Sequence, residues 1–120
     1  MLAKLAVLPL AVWSMSAAHL GAGVLTLGAI AETAFRAERT AILSPGESTA
    51  FAGRELSLIE VGQIEGPNYD ATRAVFRVAR EGAAQSLFTE RRFFPTSPTP
   101  TTEVGILSGW DGDLYLALGE

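Results

Sequence analysis

The sequence contains no cysteine and a single histidine, and no charged residue occurs between Leu5 and Ala31. Without cysteine the chain forms no disulfide framework, no thiolate zinc site and no CxxC redox pair. The net charge of −4 disfavours a sequence-independent nucleic-acid-binding protein, since such binding needs a basic face that displaces counterions. With 48% hydrophobic residues the chain is also too apolar for a disordered tail.

The uncharged stretch Leu5–Ala31 has the composition of a membrane span. A hydrocarbon core about 30 Å thick is crossed by roughly 20 apolar residues in a helix, and this stretch is longer. A chain of 120 residues has room for one domain and one membrane element. We therefore predict a transmembrane helix within residues 1–31 and a soluble domain over residues 32–120.

A cleaved signal peptide is the alternative interpretation of the same stretch. Lys4 precedes it, and Ser14–Ala18 offers the small residues that a signal peptidase prefers. A signal peptide has an apolar region of about 7–15 residues, whereas here apolar character continues to Ile30. Cleavage would give a mature amino terminus near Ala18 or His19.

His19 lies near the middle of the predicted span, where an ionisable side chain is costly and faces protein or a bound group. Its helical face carries small or polarisable residues, namely Met15, Ser16, Ala22, Gly23 and Thr26. One interpretation is a hydrogen bond across a helix-packing seam of small residues, formed by Ser14, Ala18, Ala22 and Thr26. The other is axial ligation of haem iron by neutral imidazole, with space for a flat macrocycle beside the small residues.

After Ile30 apolar and polar residues alternate in short runs, which predicts β-strands. In the clearest run, Ala74, Phe76 and Val78 share one face, which we expect to be buried. The predicted strands are Arg39–Leu43, Thr49–Phe51, Glu55–Val61, Thr72–Arg80, Gln85–Thr89, Glu103–Leu107 and Asp113–Leu118. Strands of this spacing predict a small antiparallel β-barrel or sandwich after the membrane helix.

Turn residues separate these strands at Ser44–Glu47, Glu65–Asn68, Glu81–Gly82 and Trp110–Asp113. The proline-rich segment Phe94–Thr101 lacks alternation and is predicted to be an extended surface loop.

Known catalytic motifs are missing from the soluble part. There is no phosphate-binding glycine loop, GxSxG elbow or HExxH motif, and the single histidine lies in the apolar stretch, so a Ser/His/Asp site is excluded there. Arg91–Phe94 has two interpretations. In the first, the guanidinium groups of the segment hold a carboxylate or haem propionate. In the second, the segment is a strand end with solvated arginines and a buried aromatic residue.

Several short motifs, in their order along the chain, resemble those of a known family. They are Ala18–Gly21, Thr33–Glu38, Leu43–Ser48, Phe51–Gly53, Gly66–Tyr69, Glu90–Pro95, Pro100–Glu103 and Asp113–Glu120. In this order the chain resembles, over nearly its whole length, the carboxy-terminal part of the CcmF family, the haem-lyase subunit of bacterial cytochrome c maturation.

The resemblance implies that the chain is a fragment of a large polytopic protein of the bacterial inner membrane. That family attaches haem, delivered by a haem chaperone, to the CxxCH motif of apocytochrome c, together with other haem-lyase subunits. It also carries a haem b between transmembrane histidines, and by position His19 is similar to one of these axial ligands. The β domain would then lie in the periplasm, with Lys4 toward the cytoplasm.

Parts of the family pattern have no counterpart in this sequence. The tryptophan-rich haem-binding motif, its flanking histidines and the second transmembrane histidine are missing, and Trp13 and Trp110 form no such motif. We therefore expect the segment alone to be inactive as a haem lyase. The alternative from another functional class is a β domain, membrane-anchored or released by signal peptidase, that acts as a binding module without haem.

Overall fold

The computed structural model describes residues 8–119 of the chain. It divides into two compact units, Met1–Glu38 and Arg39–Glu120. The predictions for Lys4, for residues 5–7 of the apolar stretch and for Glu120 lie outside the described residues.

The first unit contains a single described helix, α1, which spans Leu10–Ala34. Pro9 precedes it with φ −55° and ψ 145°, and proline is favoured at a helix start because its missing N–H has no helical partner there. At the other end the Phe35 N–H donates to the Ala31 carbonyl at 3.0 Å. The helix is long and apolar enough to cross a membrane, and none of its residues is buried.

The second unit contains seven described strands in two antiparallel sheets. The first sheet has the order β1–β2–β3–β4–β5 and the second pairs β6 with β7. The strands are β1 Ser48–Phe51, β2 Arg54–Glu65, β3 Asp70–Arg80, β4 Ala83–Phe93, β5 Thr101–Glu103, β6 Gly105–Leu107 and β7 Leu114–Leu116. The predicted fold class, an apolar helix followed by a small antiparallel β domain, is confirmed.

The core lies between one face of the five-stranded sheet and the β6–β7 hairpin. Leu56 and Val78 face each other across β2 and β3, and both pack with Leu114 of β7. Partly buried side chains surround them: Phe51, Leu87, Leu107 and Leu116. Ala74 and Val78 are buried as the alternation of β3 predicts. The opposite face of the sheet carries Arg73, Arg77 and their strand neighbours.

Two-residue turns connect β1 to β2 and β3 to β4. Ala52 and Gly53 have φ of 48° and 70°, and Glu81 and Gly82 have φ of 49° and 84°. Two consecutive residues with positive φ form the turn whose twist matches that of a two-residue hairpin. The predicted turn at Glu81–Gly82 is therefore confirmed.

One predicted strand is wrong. Arg39–Leu43 pairs with no other strand, although its residues alternate in polarity. The Arg39 guanidinium donates from Nη1 to the Ala50 carbonyl at 2.7 Å, so a side chain attaches this segment to β1. Ile42 is 97% exposed and adds no packing. Alternating polarity is therefore not sufficient for a strand, because a strand also needs a neighbouring strand to pair with.

The carboxy-terminal strands also differ from the prediction. The predicted strand Glu103–Leu107 divides at Val104, because β5 pairs with β4 while β6 pairs with β7. The predicted strand Asp113–Leu118 is shorter and comprises Leu114–Leu116. By contrast β4 extends beyond Gln85–Thr89 at both ends, since its whole length pairs with β3.

Candidate functional site

The His19 imidazole has one nitrogen fixed by its own helix. Its Nδ1 lies 2.7 Å from the carbonyl oxygen of Met15, four residues earlier. A carbonyl oxygen only accepts, so Nδ1 must carry the proton and donate it. In the neutral ring Nε2 then holds the free lone pair, which is the arrangement of a metal-ligating histidine oriented by a backbone carbonyl.

The surface around His19 is exposed and has small side chains. A Cβ added to Gly23 would meet nothing within 4 Å, so the helix surface is open at that position. The Thr26 hydroxyl donates to the Ala22 carbonyl at 2.8 Å, and the Ser14 hydroxyl donates to Leu10 at the same distance. Their polar atoms therefore bond to the helix itself. These features fit a flat apolar ligand against the helix, with His19 as its axial donor.

His19 is the single histidine of the chain, so the chain offers one imidazole to such a ligand. Within residues 8–119 no group of three or more His, Cys, Asp or Glu side chains is placed to hold a metal ion. His19 therefore fits a single axial position on a planar group and does not fit a multidentate metal site.

In the β unit a carboxylate is buried on the sheet face opposite the core. The Glu90 side chain is only 1% exposed and is covered by two arginines. Arg73 donates from Nε to Glu90 Oε1 at 2.7 Å, and Arg92 donates from Nε to Oε2 at 2.8 Å. Register places Glu90 directly opposite Arg73 across β3 and β4. Each carboxylate oxygen thus has a charged donor, which offsets the cost of burial.

These contacts decide the ionisation of the pair. Burial raises the pKa of Glu90, but hydrogen bonds from Arg92 and Arg73 outweigh it and hold the pKa below its usual range. The hydrogen bond to Glu90 is the largest effect on Arg92, whose pKa is raised. The group is therefore an ion pair at neutral pH.

Arg92 also joins the end of β4 to β5 and to the connection between β2 and β3. Its Nη1 donates to Glu103 Oε1 of β5 at 3.1 Å, and its guanidinium lies 4.6 Å from the Tyr69 ring centre. A Cβ on Gly66 would come within 2.5 Å of that ring, so glycine is needed there. The neighbouring Arg91 donates from Nη1 to the Gly119 carbonyl at 3.2 Å.

These contacts bear on the two interpretations of Arg91–Phe94. The guanidinium groups of Arg91 and Arg92 bond to groups of the β unit itself, which does not support a ligand-binding role for them. Both arginines are partly buried, and Phe93 is exposed while Phe94 is partly buried. The strand-end interpretation is therefore closer, with arginines that are paired within the β unit and only partly exposed.

A second charged cluster, which sequence reasoning missed, fixes the turn before β7. Asp111 accepts a hydrogen bond from Arg80 Nη1 at 2.6 Å, and Arg54 Nη2 lies 3.8 Å from its other oxygen. The Arg80 hydrogen bond lowers the pKa of Asp111 and raises that of Arg80. This turn presents Trp110 with 96% of its surface exposed. Only the fold shows the pairing, since 31 residues separate Arg80 from Asp111.

The geometry defines a class of protein: a helix able to span a membrane, with one outward-facing histidine, joined to a small antiparallel β domain. Residues 34–120 match the family model described as the CcmF C-terminal beta-sandwich. The chain therefore belongs to the CcmF family, and the resemblance seen in its motifs is confirmed.

Curated relatives extend the match into the helix. The chain is 38% identical over 109 residues to the cytochrome c-type biogenesis protein CcmF of Pseudomonas fluorescens, covering 90% of the chain and 16% of the relative. It is 34% identical over 114 residues to cytochrome c-type biogenesis protein CycK of Bradyrhizobium diazoefficiens, covering 94% and 17%. For CcmF of Escherichia coli the identity is 33% over 109 residues, covering 90% and 17%. The chain thus spans about a sixth of the length of these relatives. No solved structure matches it.

Proposed function

We propose that this chain is a segment of a membrane haem-lyase subunit in cytochrome c maturation. The helix Leu10–Ala34 crosses the bacterial inner membrane, and the β domain that follows it in the chain lies in the periplasm. Membership of the CcmF family and relatives named for cytochrome c-type biogenesis support this proposal. The apolar helix Leu10–Ala34 supports the membrane span. The alternative, a haem-free binding module, is not favoured by the family match.

His19 contributes one axial ligand to a haem b in this proposal. The observation that carries it is the hydrogen bond from Nδ1 to the Met15 carbonyl, which leaves Nε2 as the free donor atom. The same hydrogen bond fixes the ring orientation and increases the basicity of Nε2. The adjoining helix surface has only small side chains, at Ser16, Ala22 and Gly23. A planar ring therefore has space to approach the imidazole.

A b-type haem with two histidine ligands supplies electron transfer when bound, and here it would keep the iron of the incoming haem reduced for thioether formation. The chain's own contribution is to orient the imidazole through the Met15 carbonyl and to provide an apolar helix surface beside it. The second axial histidine comes from another segment of the longer protein, because His19 is the single histidine of this chain.

The β domain acts as a rigid periplasmic scaffold. Its paired arginines and carboxylates tie β3, β4 and β5 together, which suits a positioning role and not catalysis. Its partners in this proposal are the haem chaperone, apocytochrome c and the other haem-lyase subunits. The names of the relatives support a maturation system of this kind.

The test replaces His19 in the full-length protein to which the segment belongs. His19→Gly should abolish the low-spin b-type signal in reduced-minus-oxidised spectra, and added imidazole should restore it by occupying the space of the missing side chain. Thr26→Ala, on the same face, is the matched control and should retain the signal. A b-type spectrum unchanged in His19→Gly would contradict ligation by His19. Detection of a mature amino terminus near Ala18 would instead support signal-peptide release.

A further inference from the structure

Half of strand β2 has an open edge. β1 pairs only with the first part of β2, from Arg54 to Ser57, and the chain at Gly46 and Glu47 bonds to Leu58. A register shift at Ile59 interrupts the ladder. Beyond it, Glu60–Glu65 pairs with β3 on one side, and no described residue between 8 and 119 hydrogen-bonds to its backbone on the other.

The direction of the unpaired backbone groups follows from one hydrogen bond. The Gly66 N–H donates to the Tyr69 carbonyl at 2.8 Å, so Gly66 points toward β3. In an antiparallel pair successive residues point to alternate sides, which makes Val61, Gln63 and Glu65 point outward. Both the N–H and the carbonyl of every second residue along this edge are therefore available to another strand.

The open edge of β2 is longer than the outer strands of the sheet, and its protection is limited to the register shift at Ile59 and the charges of Glu60 and Glu65. β1 has four residues and β5 has three, so each offers little backbone for pairing with another polypeptide chain. The open edge of β2 extends over six residues, about 20 Å, and contains no proline and no lysine. Val61 is 46% exposed and Ile59, at its start, 50% exposed. Such an edge is a template for strand addition.

The charge of the edge selects its partner. Glu60 and Glu65 stand at its two ends, Glu47 lies next to its start, and no cation occurs in residues 59–65. The complementary segment must therefore be basic and extended, and its backbone must not already be paired. An extended segment of an unfolded chain meets both conditions.

We propose that the open edge of β2 binds an extended, basic segment of an unfolded polypeptide by adding it as a further antiparallel or parallel strand. This inference rests on the proposed function, in which the polypeptide is apocytochrome c awaiting haem attachment. Backbone hydrogen bonds along Val61, Gln63 and Glu65 supply the affinity, and Glu60 and Glu65 select basic side chains. The β domain then has a defined role, which is to hold the apoprotein extended.

A second open edge of the sheet, in β4, serves as an internal control. Ala83–Leu87 of β4 also has no strand on its outer side among residues 8–119, but it contains no charged residue. Tyr69 points toward β2, so by alternation the backbone groups of Phe76 point toward β4. Its partner Leu87 therefore points toward β3, and Ser86 points outward. This edge offers backbone groups without selectivity for a basic segment.

Hydrogen exchange of the full chain in detergent micelles tests the inference without any substitution. The probe is a synthetic lysine-flanked peptide containing a CxxCH motif, and its glutamate-flanked counterpart is the control. The basic peptide should slow exchange at Val61, Gln63 and Glu65 at least tenfold and leave Ala84 and Ser86 unchanged. Protection elsewhere only, or equal protection by both peptides, would overturn the proposal. Protection that rises with protein concentration before peptide is added would assign the edge to a second copy and would also overturn it.

Three variants sharpen the test. Val61→Pro removes an outward N–H and should weaken peptide binding about tenfold, the loss expected for about one backbone hydrogen bond. Ser86→Pro makes the same change on the control edge and should bind normally. Glu60→Lys with Glu65→Lys leaves the backbone intact and should reverse the preference between the two peptides. Equal binding by all three variants would contradict the assignment of the edge. Because haem is absent from these assays, they can fail while the His19 spectra succeed, and the reverse also holds.

Discussion

The two units satisfy their polar groups in different ways. In α1 the side chains of Ser14, His19, Thr26 and Thr33 each bond to a carbonyl of the same helix four residues earlier. In the β unit Glu90 and Asp111 bond to arginines 17 and 31 residues away. These four side chains bond within the helix, which has no packed face of its own, whereas the sheet carries its own core. A helix of this kind suits lipid and a ligand, and the sheet suits a scaffold.

The largest effect is expected from the core of the β unit. Leu56→Ala should lower the free energy of unfolding by about 3 kcal/mol, because it leaves a cavity against Val78 and Leu114. The helix should keep its far-UV signal, since it shares none of this core. Urea unfolding followed by near-UV circular dichroism measures the change. Ile42→Ala, at an exposed position, is the control and should change stability by less than about 0.5 kcal/mol. Equal losses in both variants would contradict the assigned core.

The buried carboxylate comes next. Glu90→Gln should cost about 2 kcal/mol at pH 7, since Arg73 and Arg92 lose a charged acceptor while remaining partly exposed to water. The lowered pKa of Glu90 sets the pH dependence. Its contribution is complete above the unfolded pKa, about 4.3, and is lost as the pH falls through the folded value. Stability curves of parent and variant should therefore converge in acid. Glu103→Gln, on a more exposed carboxylate, should have the smaller effect. A difference independent of pH would refute the ion pair.

A smaller and local effect is expected at the Trp110 turn. Asp111→Asn removes the charge that pairs with Arg80 and Arg54, so the turn should move more freely. In a Trp13→Phe background the fluorescence anisotropy of Trp110 should fall, and the Gly112 amide should exchange faster. Asp113→Asn tests for a general charge effect and should leave both unchanged. Equal anisotropy in parent and Asp111→Asn would show that the ion pairs do not hold the turn.

The smallest effect is expected in the helix. Thr26→Ala removes a hydroxyl that bonds only to its own helix. The free energy of unfolding of the helix in micelles should therefore change by less than about 0.5 kcal/mol. Far-UV circular dichroism during thermal unfolding measures it. A large loss would mean that Thr26 bonds to another helix and would weaken the contrast between the units.

The sequence predicted those features that local pattern determines. The uncharged stretch predicted α1, and the alternation of Ala74, Phe76 and Val78 predicted the buried face of β3. Turn residues located the hairpin at Glu81–Gly82. In each case the period of the pattern, or a residue that tolerates positive φ, is present within a few residues of chain.

Features set by pairing were not predictable. Arg39–Leu43 alternates like a strand but meets no partner, and Glu103–Leu107 divides because its halves join different sheets. The burial of Glu90 depends on its register opposite Arg73, which no local pattern encodes. At the candidate site the residue His19 was evident from the sequence, and its bond to Met15 follows from helical spacing. For the haem site that we propose, a second ligand was not predictable, because this chain contains no other histidine.

The most direct measurement of the central proposal is a redox titration of the full-length protein carrying His19→Met. If His19 ligates the iron, methionine replaces one nitrogen donor by sulfur, and the b-type signal should persist with a higher midpoint potential. Thr26→Ala should titrate like the parent. A midpoint potential and optical spectrum identical to those of the parent would show that His19 is not bound to the iron, and would leave it as a residue of helix packing.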